Sequence, residues 1–409
     1  MNKNLNERTL RIRELEDASS NTQNLTFKKI QYPCKIITLQ IDYLIYRLDN
    51  TRTLSKQPEY IKKHDLNNDY FDSDRQENPE VQASQHELLS ETLLEDSSSL
   101  GKAFDMKGGQ DEPLEITSEG VMINGNRRLC LMRTRSFDSI ECKVVSDPNL
   151  RGRDKEIEAS LDIAVSGKVG YDWASQGLGI LSLKADGLSD NEIREYKGML
   201  TVAEVSNLAG ATSIARYGLE LRGCSEEWSK VRKSEQIYLD AAAKTIPDEM
   251  TKKASDLSVI LIDAATTDAI GGRAYDLVKD HLKFNSAGLK LAHKWFPANS
   301  VPEVDDVTGE TITSGGFDED KLRNEILLDQ DKIDSYVEEL KEVIEDERDA
   351  ASGRGARRRL IVEIDKAFKA SQKAQHLSTN TSHDTDGVIE KIAKIDDHLK
   401  AIIANIENN

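Results

Sequence analysis

The chain has 409 residues, of which 31% are charged, 38% hydrophobic and 5% aromatic. It is long enough for roughly two to four folded units, and its low proline and modest glycine content fit a helix-rich protein better than a sandwich or a disordered chain. A formal net charge of −18 argues against a general nucleic-acid coat, which needs a basic surface.

Residues 1–33 are polar and weakly patterned and are expected to form a flexible or lightly docked arm. They lack the apolar segment of a secretion signal. No window of the chain reaches 18 apolar residues, so no membrane span is expected. Residues 35–41 (KIITLQI) are β-branched between polar flanks and read as a strand. The polar stretch 55–85 reads as a loop insertion, followed by a short amphipathic helix at 85–94.

A denser pattern follows. A turn at 109–113 leads to a strand at 114–117, a hairpin turn at 118–120 and a strand at 121–123. Turn chemistry at Asn124-Gly125 then opens a helix over 126–134, and 140–145 is another strand. Strand, turn, strand, helix and strand in so short a span predict a small α+β domain over 34–153.

Helices dominate afterwards. Short ones fill 178–220, with turns at 187–190 and 197–200. More follow over 228–296, broken near 245–248 and 271–272. Residues 297–318 are a Pro/Gly/Thr-rich linker. An acidic helix covers 321–349, a glycine break at 353–355 precedes a helix at 357–374, and 387–406 form the last helix. The expected fold class is therefore α+β: a small N-terminal α+β domain, a helical domain over 154–296 and a helical C-terminal region over 319–409.

The four cysteines, Cys34, Cys130, Cys142 and Cys224, form no C-x-x-C pair, and no histidine stands at metal-ligand spacing from them. Cys130 and Cys142 sit in apolar runs and read as buried, inert thiols; the cysteine usage suits a reducing, cytoplasmic compartment, and no metal ligand is assigned. Charge is uneven: residues 121–155 hold eight basic side chains and four acidic ones. A local basic island inside an acidic chain is the expected footprint of a polyanion site.

Two motifs sharpen that expectation. In Gly109-Gln110-Asp111-Glu112-Pro113-Leu114, glycine lets backbone N–H groups approach an anion and Pro113 fixes the exit of the turn. In Asn124-Gly125-Asn126-Arg127-Arg128-Leu129 a strand ends in a glycine turn and a helix begins. Its free N–H groups, dipole and two guanidinium forks suit phosphate oxygens.

Together with Asn50-Thr51-Arg52 upstream, these residues resemble the ParB/sulfiredoxin-like superfamily, which includes chromosome-partition proteins and ParB-like nucleases. The resemblance covers roughly residues 35–145. It implies that Arg52, Arg127 and Arg128 face a nucleotide triphosphate (CTP or ATP) or a DNA phosphate. The turn from Gly109 and Gln110 to Pro113, with Gly125 and Asn126, would complete the cradle, and a magnesium ion sits there in CTP-binding members. The family's usual glutamate is Asn126 here, which cannot serve as a general base. If the site is catalytic, as in a nuclease or nucleotide hydrolase, Asp49, Asp111 and Glu112 are the candidate carboxylates, with Glu115 beside them.

Two capping boxes, Ser189 with Glu192 and Thr201 with Glu204, bracket a turn and resemble a helix-turn-helix over 187–217. DNA contacts would then fall to Thr201, Ser206, Asn207 and Arg216. Tyr171, Asp172 and Trp173 precede this module and read as core packing or a base-stacking cluster. Heptad-spaced apolar residues at 326, 333 and 340 and at 388–406 suit packing on the same chain, a homodimer or a protein partner. The functional expectation is a DNA-associated, ParB-like protein that binds phosphate. The alternatives are an enzyme on the same fold and a scaffold that keeps the fold without a ligand.

Overall fold

The computed structural model describes residues 2–95, 100–107, 109–162, 172–196, 201–297, 303–304, 311–312 and 317–351. The chain divides into two units, Met1–Ile344 and Glu345–Asn409. In the second, residues 345–351 are described and are helical. The helices expected at 357–374 and 387–406 lie outside the described residues, as does the glycine break before them. The architecture is α+β, a mixed five-stranded sheet with helices followed by a mainly helical region, with 63% of the described residues in helix and 11% in strand.

The first 33 residues are built into the domain. Helix α1 (Leu5–Ala18) starts on a capping box in which the Asn4 side chain accepts from the Glu7 N–H and Glu7 reaches back. It buries Ile12 and Arg8. Strands β1 (Thr22–Phe27) and β2 (Ile30–Gln40) then form an antiparallel hairpin. A polar sequence can do this because only alternate residues of β1 turn inward: Leu25 and Phe27 are buried and the rest are exposed.

Residues 55–85 are not a plain loop either. They carry α2 (Gln57–Lys63) and the start of α3 (Pro79–Glu95), and α4 (Leu100–Lys107) follows. Strands β3 (Leu114–Thr117) and β4 (Met122–Asn124), helix α5 (Asn126–Thr134) and β5 (Ser139–Val145) come next. The strand order is β1-β2-β5-β3-β4, with β3 and β5 parallel and the other pairs antiparallel.

Alternation gives the sheet two covered faces. Ile37, Leu39, Leu114, Ile116, Ile140, Cys142 and Val144 turn to one core with Ile12 and with Leu89 of α3, Phe104 of α4 and Leu129 of α5. Leu25, Phe27, Cys34 and Val145 join the core of the helical region on the other face. Each buried Leu, Ile or Phe side chain contributes on the order of 1.5–3 kcal/mol of transfer free energy.

The helical region begins with α6 (Asp154–Asp162), α7 (Trp173–Ala185), α8 (Asp190–Tyr196) and α9 (Val202–Leu221). It continues through α10 (Glu235–Ala243), α11 (Glu249–Ala264), α12 (Thr267–Ile270), α13 (Ala274–Lys283) and α14 (Ser286–Trp295). Within 297–318 a short antiparallel pair, β6 (Glu303–Val304) and β7 (Thr311–Ile312), is described. Helix α15 (Glu319–Lys321), a π turn and α16 (Gln330–Ala351) close the described chain. The heptad residues Ile326, Ile333, Leu340 and the intervening Tyr336 are buried in the body of the same chain. Among the described residues no helix is long and apolar enough to cross a membrane.

Candidate functional site

The start of α5 is set by Gly125, whose φ of +107° lies in the left-handed region. A Cβ there would come within 2.7 Å of Leu114 Cδ2, so glycine is required by both backbone and packing. No side chain caps this helix, which leaves its first N–H groups to another acceptor.

Asn126, the first residue of α5, is 2% exposed. Its Oδ1 accepts the Arg47 backbone N–H at 3.0 Å, which fixes the orientation of the amide, and its Nδ2 is buried without a hydrogen-bond partner. Arg128 is half-buried and turns toward the upstream motif. Nη1 donates to the Glu112 carbonyl at 3.1 Å, and Nη2 lies 3.5 Å from Glu115. Lys143 holds the other oxygen of Glu115 at 3.3 Å. The second and third motifs therefore meet through Arg128.

The Gln110 side-chain amide bonds both the N–H and the carbonyl of Glu141 on β5. Arg127 is buried at 8%, and Arg52 is half-buried with its N–H on Asn50 Oδ1 at 3.3 Å. Gly109, with φ of +148°, turns the chain ahead of Pro113, and Asp111 and Glu112 are exposed.

Arg47 was not legible in the sequence. It is 4% exposed and pairs through Nε with Asp49 at 2.6 Å and through Nη2 with Glu158, while Nη1 is buried without a partner. Glu158 also accepts from Asn50 Nδ2 at 2.5 Å, so Asn50 ties this segment to α6.

The segment Tyr46–Leu48 runs outside a regular ladder, and side-chain amides satisfy its backbone. Gln82 both accepts from the Tyr46 N–H, at 2.8 Å, and donates to the Tyr46 carbonyl, at 2.9 Å. Gln85 donates to the Arg47 carbonyl at 3.2 Å, Gln57 to the Leu48 carbonyl at 2.6 Å, and Gln76 accepts from the Leu48 N–H at 3.2 Å. Four glutamines in a polar stretch were the available signal. Each replaces a bond that a buried backbone group cannot leave unmade.

A cleft of about 660 Å³ opens beside Arg47 and Asp49, lined also by Glu119, Arg153, Asp154 and Lys155. Arg127, Arg128 and the turn at Gly109 do not line it. Six carboxylates and three basic side chains surround it, an acidic balance that disfavours a polyanion. Burial, with Asp49 and Glu119 nearby, pushes the Asp154 carboxyl above its ordinary range, against the pull of Arg47.

Much of the basic island is used internally. Arg133 donates to the Leu44 carbonyl at 2.5 Å and stacks over Tyr46, Arg153 pairs with Glu156 at 2.5 Å, and Lys155 pairs with Asp186 at 3.2 Å. Cys130 is wholly buried beside His86 Nδ1 at 3.5 Å, and burial pushes its thiol upward. All four cysteines are free and buried.

Both predicted capping boxes of the helical region are present at the starts of α8 and α9. Helix α9 is 20 residues long and buries half of them, including Leu208, Thr212, Ala215 and Leu219. Thr201 and Ser206 are exposed at its start, Asn207 is half-buried, and the Thr201 hydroxyl bonds Glu204 at 2.9 Å. Arg216 lies ten residues beyond Ser206, about 15 Å along the axis, and pairs with Glu226 at 3.4 Å. The four predicted DNA contacts are thus not gathered on one patch. Trp173 stacks on Tyr238 in the core and Asp172 caps α7 through the Ala174 N–H, while Tyr171 lies outside the described residues.

No family model matches the chain, and no curated protein or solved structure matches it either.

Proposed function

We propose that the N-terminal domain binds a phosphate-bearing ligand, a nucleotide or a DNA backbone, at the start of α5, as part of a DNA-associated ParB-like protein. The carrying observation is the pairing of an uncapped helix start with the buried, unpartnered Nδ2 of Asn126. Buried donors without acceptors are costly, about 1–3 kcal/mol each, and a phosphate oxygen at the helix start offers the missing acceptor. Arg128, drawn to the same turn, adds a charged fork.

Recognition of DNA by α8 and α9 has less behind it. Asp190, Glu192, Glu195 and Glu204 outnumber Arg194 on α8 and the first turn of α9, so that face repels a phosphate backbone. The N-terminal domain is the stronger seat of phosphate binding.

Thermal melting and titration calorimetry with CTP, ATP, GTP and a short DNA duplex test the reading, using the whole chain and Arg128→Gln. A ligand at 100 times its Kd stabilises by about 2.7 kcal/mol. Arg128→Gln, melting as the parent does without ligand, should lose most of that gain. No binding by the parent, or equal binding by the variant, would leave the fold as a ligand-free scaffold or move the ligand elsewhere.

A further inference from the structure

We propose that the α5 start takes its phosphate group directly, with no bridging divalent cation. The inference rests on the phosphate-binding reading and narrows it. Magnesium is implied at this place by the resemblance to CTP-binding relatives, and the residues present do not fit it. A hard cation needs a shell of oxygen ligands, carboxylates foremost. Of the carboxylates beside the site, the three that are drawn inward are held by cations of the protein itself, Glu115 by Lys143 and Arg128, and Asp49 and Glu158 by Arg47, while Asp111 and Glu112 stand exposed in the turn. The buried Arg47 guanidinium bridges Asp49 and Glu158, supplying the positive charge that a shared metal ion would bring. Among the described residues no group of three or more His, Cys, Asp or Glu is arranged to hold a metal ion.

What the helix start offers is donors. Its first N–H groups carry no side-chain cap. Because the Arg47 N–H occupies Asn126 Oδ1, the unused function of that amide is the donor Nδ2. Arg47 Nη1 is a second buried donor without a partner, on the residue that Asn126 holds. Donors repel a metal ion and bind phosphate oxygens. A glutamate at 126 would set an acceptor there and reverse that preference, so Asn126 is the residue that makes the site an anion site in its own right.

Titration of the whole chain with inorganic triphosphate, once in EDTA and once in excess magnesium, tests this. The expected result is binding in EDTA at least as tight as in magnesium. Asn126→Asp keeps the acceptor for the Arg47 N–H and the shape of the side chain, and exchanges the donor for an acceptor. It should weaken binding in EDTA about tenfold or more, the worth of one charge-assisted hydrogen bond. Parent protein that binds only in magnesium overturns the inference and leaves the phosphate reading intact; a folded Asn126→Asp that binds in EDTA as the parent does overturns the inference and also removes the observation on which the phosphate reading places its site. If Asn126→Asp fails to fold, the EDTA comparison on the parent decides alone. Binding in neither buffer defeats the phosphate reading itself.

Discussion

In the helical region the helix starts are capped by Asp172, Thr201, Asp248 and Thr266, and the buried polar side chains, such as Thr212, Ser255, Ser258 and His281, sit on helices whose backbone is already bonded, within a largely apolar interior. In the N-terminal domain the polar burial runs along the middle of the chain, from Tyr46 to Asn50, where amides and one shared cation replace sheet pairing. Asp263, whose side chain is buried with Arg222 and Tyr238, is a charged group in that interior. The contrast is instructive because polar networks fix geometry at a cost in stability, whereas apolar cores are tolerant of shape. A rigid, polar-lined segment against a helix start suits ligand recognition; a capped bundle suits support.

The comparison can be broken most strongly at Glu158. Glu158→Ala removes the buried one of the two carboxylates that hold Arg47, and the acceptor of Asn50 Nδ2, and should cost about 3–5 kcal/mol in denaturant unfolding. A loss under about 1 kcal/mol would mean that Arg47 is solvated and the segment is not polar-locked. Gln82→Met keeps the volume and removes both bonds to Tyr46; the expected loss is about 1–3 kcal/mol, read in the same melts.

The smallest effect concerns Asp154. Burial first, then Asp49 and Glu119, raise its carboxyl, so the folded state holds the proton more tightly than the unfolded chain does. Such a group gains stability as the pH falls through its folded value and loses it above. Asp154→Asn should therefore raise the unfolding free energy at pH 7, by less than about 1 kcal/mol, with the gain shrinking on acidification. A gain that grows on acidification would contradict the assignment.

Legibility in the sequence followed the kind of burial. The strand at Leu114–Thr117 and the helix at Asn126–Thr134 were readable because apolar alternation and the glycine turn act locally. Helix α1 was missed because only Ile12 and Arg8 are buried on it, which leaves almost no apolar stripe. The stretch 55–85 hid its helices because its inward residues include glutamines. Asn50 and Arg128 were singled out as motif residues, but their partners were not foreseeable. Glu158 lies 108 positions from Asn50, and nothing local marks it. The departure at Asn126 was visible, and its meaning became clear only with the Arg47 N–H beside it.

Amide hydrogen exchange with and without a saturating phosphate ligand addresses the central claim most directly. The account predicts that protection rises first in peptides covering Gly125–Arg128 and the Arg47 segment, with α8 and α9 unchanged. Protection confined to α8 and α9, with none at the start of α5, would contradict it.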